Sequence, residues 1–162
     1  MNNRYICKAK RVDNGEWVEG LFSIRDFAGR EYYAIERREK KRLLSRISCD
    51  SQWTMQPYEV IPETVGECTS VKDVKGELLF TGDIVESRGS ENKEDWKRWV
   101  IVFFDGSYCF EREIPRKRKH KYEQNLLCKD EIELYGLTKI GNIHDNSELL
   151  NKAYCYRSIS DG

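Results

Sequence analysis

Two stretches of the chain concentrate cationic side chains densely enough to meet phosphates. Residues 37–46 hold six basic residues (Arg37, Arg38, Lys40, Lys41, Arg42, Arg46) against the single acid Glu39. Residues 112–121 again hold six (Arg112, Arg116, Lys117, Arg118, Lys119, Lys121) against Glu113. Runs of this kind bind a nucleic-acid backbone by displacing its counterions. Ahead of the second run, Trp96-Lys97-Arg98-Trp99 sets two indole rings beside two cations, a combination on which unpaired bases stack. A nucleic-acid reading therefore rests on Arg37, Arg38, Lys40, Lys41, Arg42, Arg116, Lys117, Arg118 and Lys119 with Trp96 and Trp99. The same runs fit solvated hairpin tips, where charge discourages strand edges from pairing with other chains.

Residues that could support catalysis are scattered. Of two histidines, His120 lies inside a basic run that disfavours its charged form, and His144 lies near the end of the chain; neither has a neighbour suggesting a nucleophile and base. Cys109 follows Asp105-Gly106 and is explained by an alternating strand. The six cysteines (Cys7, Cys49, Cys68, Cys109, Cys128, Cys155) form no C-x-x-C pair and read as reduced, mostly buried apolar residues. There is no G-x-x-x-x-G-K-[ST] loop and no H-E-x-x-H, so neither a phosphate cradle nor a metal site is expected, and no cofactor. Paired carboxylates drawn from 28 acidic residues would leave no mark in the sequence.

These residues must be carried on a modest scaffold. The chain has 162 residues, with 28 basic and 28 acidic side chains for a formal charge of zero. That zero is the sum of the basic runs and acidic stretches such as Asp130-Glu131-Ile132-Glu133. The N-terminal residues carry charge where a secretory signal needs an apolar core, and no stretch is long and apolar enough for a membrane span. The expectation is a cytoplasmic protein that does not enter membranes.

Turn chemistry gives the fold class. Asn14-Gly15 separates residues 5–12 from 16–23, and Asp105-Gly106 separates residues 99–104 from 107–110; both dipeptides suit tight hairpin turns. Ala28-Gly29 and Lys75-Gly76 give weaker signals of the same kind. The expected fold is mainly β, with antiparallel strands forming small SH3-like or partly open barrels and little helix. Helix is considered at residues 36–47, where Ile35, Leu43, Leu44 and Ile47 could form one face and a strand tip or loop fits as well. A closing helical turn is expected where Asp145-Asn146-Ser147 precedes Glu148-Leu149-Leu150. Gly15-Glu16-Trp17-Val18-Glu19-Gly20 and Gly76-Glu77-Leu78-Leu79-Phe80-Thr81-Gly82 both lead from a turn through an apolar strand to a second glycine, as at a barrel corner. Residues 58–63 divide two halves, 1–60 and 61–151, with 152–162 as a polar tail.

The run from Val60 to Thr69 (Val-Ile-Pro-Glu-Thr-Val-Gly-Glu-Cys-Thr), followed by residues 72–85 with Phe80-Thr81-Gly82-Asp83-Ile84-Val85 at their end, resembles the central signature of the YopX family of phage and prophage proteins. Val100-Ile101-Val102-Phe103-Phe104-Asp105-Gly106 is similar to that family's next hairpin. Ile140-Gly141-Asn142-Ile143-His144-Asp145-Asn146-Ser147-Glu148-Leu149-Leu150 is similar to its closing motif, with Ser147 where proline is usual. The strand around Trp17 and Gly20 also resembles the family's N-terminal segment. The chain departs from the pattern at Thr81, where an acid is usual, and in the basic insertion 115–121.

The resemblance implies a mainly β fold and a phage or prophage context in a bacterial host; it implies no catalytic residue set. Gly82-Asp83-Ile84-Val85 has a structural explanation, since glycine permits the turn, aspartate accepts backbone hydrogen bonds, and Ile-Val starts a strand. Four Trp, nine Tyr and six Phe are more than a thin β core needs, and surplus aromatics on a sheet anchor interfaces. The function expected is a non-catalytic protein-interaction or assembly module, either a homo-oligomer or a binder of a phage or host protein. A nucleic-acid-binding β protein is the alternative.

Overall fold

The computed structural model describes residues 5–40, 53–88, 91–92, 96–114 and 121–150. The chain is mainly β, with two antiparallel sheets, neither closed into a barrel. It divides into two compact units, Met1–Cys68 and Thr69–Gly162. Among the described residues, no helix is long and apolar enough to cross a membrane.

The first unit contains β1 (Ile6–Lys10), β2 (Trp17–Phe27), β3 (Arg30–Lys40), β4 (Trp53–Glu59) and the start of β5 (Gly66–Lys72). Their order across the sheet is β4-β3-β2-β1-β5. Asn14-Gly15 turns β1 into β2, and Ala28-Gly29 turns β2 into β3. The register pairs Cys7 with Gly20, Ala9 with Val18, and Phe22 with Ile35. Because side chains alternate across a strand, Ala9, Val18, Ile35 and Val60 fall on one face and form the buried core, with Cys7, Tyr33, Tyr58 and Val65 packed around them.

The sheet curls around this core. An isolated bridge joins Arg11 to Val60, and the amides of Val12 and Ile61 donate to the carbonyls of Glu59 and Lys10, at 3.0 and 2.9 Å. That corner brings the chain after β1 against the end of β4. It is too short to complete a barrel, which is why the SH3-like closure suggested by the turns does not form. Gly20 allows the curl. A Cβ built there would lie 2.3 Å from the Glu36 carbonyl oxygen and 3.0 Å from Ile35 Cγ2, so β2 and β3 approach more closely than any side chain permits.

The second unit contains the rest of β5, β6 (Leu78–Phe80), β7 (Asp83–Ser87), β8 (Arg98–Phe104), β9 (Ser107–Ile114), β10 (Lys121–Leu126), α1 (Lys129–Tyr135) and β11 (Leu137–Asn142). Five strands form a sheet in the order β10-β9-β8-β7-β11. Asp105 and Gly106 both have positive φ, 48° and 78°, so this hairpin takes the turn that its dipeptide favours. Trp99 is the centre of the core, edge-on to Phe110 at 5.1 Å and to Tyr135 at 6.1 Å. Leu79, Val85, Ile101, Leu127, Ile132 and Leu137 complete the cluster.

Among the described residues, helix falls in a segment not considered for it. Of the alternatives at residues 36–47, strand holds for 36–40, because Ile35 already pairs with Tyr58 and the ladder runs on to Lys40 opposite Trp53. Residues 41–47 lie outside the described residues. A helix forms instead at Lys129–Tyr135, in the segment read only for its acidity. Asp130 and Glu131 lie in its first turn, where acids complement the helix dipole, and Gly136 ends it in the left-handed conformation. Pro57 lies inside β4, which tolerates it because β4 is an edge strand. The closing turn is a 3-10 turn at Ser147–Leu149.

Gly20→Ala tests the curl. It should destabilise the first unit by about 3 kcal/mol, at the upper end for overpacking because the clash is with backbone. The readout is the denaturant midpoint, and an unchanged midpoint would show that the two strands can separate without cost.

Candidate functional site

The two basic runs occupy comparable places. Residues 41–52 connect β3 to β4, and residues 115–120 connect β9 to β10. Arg37 is exposed on β3, and Arg38 and Lys40 lie on the same strand. Lys41, Arg42, Arg116, Lys117, Arg118 and Lys119 lie outside the described residues. The two aromatic members of the nucleic-acid reading differ in their placement. Trp99 is fully buried, with the Arg112 guanidinium 5.1 Å from its ring centre. Trp96 is half-buried under the Arg88 guanidinium at 5.0 Å. Arg112 is itself tied down, donating from Nε to Glu123 at 2.7 Å.

The polar group most completely buried is the Asp83 carboxylate, and its surroundings are structural. Oδ2 accepts from the Phe80 amide at 2.9 Å and pairs with Lys139 Nζ at 3.1 Å; Oδ1 accepts from Asn142 Nδ2 at 3.0 Å. Asn142 in turn accepts the His144 amide at 3.0 Å through its side-chain oxygen. Asp73 repeats the pattern, taking amides from Lys75 and Glu77 on one oxygen and from Lys139 on the other. Gly141 sits where a Cβ would meet Asn146 Oδ1 at 2.5 Å. The Gly82-Asp83 and Gly141-Asn142 segments therefore latch β7 to β11. Among the described residues, no group of three or more His, Cys, Asp or Glu side chains is placed to hold a metal.

A scan against family models matches residues 24–151 to the YopX protein family. The chain belongs to the YopX family. Comparison with curated proteins and with solved structures returns no match. In this YopX chain, two of the segments that carry the family resemblance in the second unit, 72–85 and 140–150, build the latch.

The first unit carries a paired strand segment with exposed apolar side chains. Strand β1 pairs with β2 only as far as Leu21, and β4 pairs with β3 only as far as Ala34. Beyond these points, residues 22–27 and 30–32 pair in the ladder only with one another among the described residues, while the Tyr33 carbonyl accepts the Val60 amide at 2.9 Å. They form a two-stranded arm. Phe27 is 77% exposed and Ile24 58% exposed on this arm, and Phe22 stacks on Tyr33 at 6.0 Å. An isolated two-stranded ribbon is marginally stable in water, and this one leaves large apolar side chains uncovered. At its root, Arg25 donates to Glu36 Oε1 at 2.6 Å; this guanidinium holds the Glu36 carboxyl below its ordinary pKa. Phe27, Arg30, Tyr32, Pro57 and Glu59 line a groove of about 330 Å³ beside it.

The surplus of aromatics pointed to interfaces, whereas nothing in the sequence showed where β1 and β4 stop pairing. That depends on long-range register. Of the described thiols, Cys68 is buried, and burial, then Glu67, then Cys68 push the Cys7 thiol up to about 11.

Two results would check these assignments. Asp83→Ala leaves Lys139 without its carboxylate and should cost about 3 kcal/mol, seen as a lowered unfolding midpoint. Cys7 should react with iodoacetamide at about pH 8 roughly a hundredfold more slowly than an ordinary thiol, since only the thiolate attacks. Rapid labelling of Cys7 in the folded chain would contradict its environment.

Proposed function

We propose that this YopX-family chain is a phage or prophage accessory protein acting as a non-catalytic protein-interaction and assembly module. The observation that carries the reading is the arm at residues 22–33, with Ile24 and Phe27 uncovered beyond the part of the sheet that buries Val18 and Ile35. Interfaces are built on apolar and aromatic anchors of this kind within a polar rim. Here Arg25, Asp26, Arg30 and Glu31 supply the rim. The latch around Asp83 adds no reactive group, as its carboxylate is committed to Phe80, Lys139 and Asn142.

The nucleic-acid reading has less support. Its base-stacking component loses Trp99 to the core, and Arg88 covers Trp96. What remains is cationic charge within a chain of zero net charge.

The test compares the intact chain with an Ile24→Ser/Phe27→Ser variant. Both positions are exposed, so the variant should keep its circular dichroism spectrum and unfolding midpoint. Association, followed by sedimentation and by co-purification from the bacterial host, should weaken at least about tenfold, as expected when interface anchors are removed. Identical behaviour of the two proteins in both assays would refute the reading.

A further inference from the structure

The two faces of the arm differ in chemistry. Alternation puts Phe22, Ile24 and Asp26 of β2 on the same face as Glu31 and Tyr33 of β3. This inner face continues the core side of the sheet, since Ile35 follows Tyr33 there. Ser23, Arg25, Phe27, Arg30 and Tyr32 lie on the outer face. The inner face is thus acidic and apolar, and the outer face is basic and aromatic.

On the inner face, Asp26 and Glu31 stand directly opposite each other in the ladder. Like charges in that position destabilise a hairpin. Neither carboxylate has an ion-pair partner among the described residues; Asp26 accepts the Gly29 amide, at 3.2 Å. The repulsion sits at the tip of an already marginal ribbon, next to exposed Ile24. On the outer face, Arg30 is 81% exposed and reaches Glu59 only at 3.5 Å, opposite the equally uncovered Phe27. The outer face therefore carries the cation and the exposed ring that the acidic tip of the inner face lacks.

We propose that the arm's partner is a second copy of this chain, bound outer face to inner face, and this rests on the interaction reading above. Arg30 of one copy meets Asp26 and Glu31 of the next, while Phe27 covers Ile24 and the Phe22–Tyr33 stack. The symmetric alternative, inner face to inner face, would bring four carboxylates together and is disfavoured by charge. An outer-to-inner contact is heterologous, so every copy keeps one face of each kind available and the contact propagates into a ring or a chain of subunits. The longer strand of the arm, residues 22–27, spans about 20 Å and the ribbon is about 10 Å wide. A contact of that size falls at the small, reversible end of interfaces, and repetition provides its strength. The exposed charges make it weaken with salt.

Arg30→Glu and Glu31→Arg, each alone, should both lower self-association by roughly tenfold or more at low salt, measured by sedimentation velocity across a concentration series. A mixture of the two variants should associate again, because the carboxylate introduced at position 30 of one then meets the guanidinium introduced at position 31 of the other, and salt should reverse the recovery. Mixing without recovery would overturn the proposal, as would a wild-type chain that stays monomeric at every concentration. If that monomer still loses a co-purifying protein on Ile24→Ser/Phe27→Ser substitution, self-association falls and the interaction reading stands. If nothing co-purifies, both fall.

Discussion

The structure of the first unit follows from a mismatch in strand length. β2 and β3 each run for 11 residues, whereas β1 has 5 and β4 has 7. Where all four strands overlap, Ala9, Val18, Ile35 and Val60 close into a core. Where only β2 and β3 remain, the same alternation that buried Val18 leaves Ile24 exposed. Core and arm are two parts of one continuous ladder. Gly20 sits at the transition, and its missing side chain lets β2 bend over Glu36 so that the core can close at all. Arg25 and Glu36 tie the base of the arm on the other face.

The second unit meets a different requirement, that of holding β11 against β7. β11 is interrupted by a register shift between Lys139 and Gly141, which disrupts ladder hydrogen bonds there. Asp83, Asp73 and Asn142 supply side-chain acceptors and donors in their place. Burying a carboxylate is costly unless it is paired and fully hydrogen-bonded, and Asp83 is both. In this unit two of the segments that resemble the YopX family, 72–85 and 140–150, form the polar latch.

Much of this was legible from local chemistry. Asp105-Gly106 and Ala28-Gly29 both take positive φ at their two residues, Asn14-Gly15 does so only at Gly15 within a longer turn, and Gly82-Asp83 announces a turn before a strand. Other features depended on partners far away in the sequence. Trp99 looked like a stacking platform beside Trp96, but strand alternation sends it into the core against Phe110 and Tyr135. The helix at Lys129–Tyr135 buries only Ile132 and has no side-chain cap at Cys128, so neither periodicity nor capping signalled it. The arm was hidden for a related reason: Ile24, Phe27 and Tyr33 read as ordinary strand residues until the limits of β1 and β4 are known. Zero net charge concealed the opposition between Asp26 and Glu31 on one face and Arg25 and Arg30 on the other.

Among the described residues, residues 22–32 lie beyond the pairing of β1 and β4, and the proposed association should cover them. Amide hydrogen exchange, followed residue by residue over a dilution series, reads this directly. In dilute solution the arm should exchange much faster than Ala9, Val18 and Ile35, through local opening of a ribbon with little burial. Its protection should then rise with protein concentration while that of the core stays constant. An arm protected as strongly as the core at every dilution, or one whose exchange is indifferent to concentration, would contradict both its marginal stability and its role in assembly.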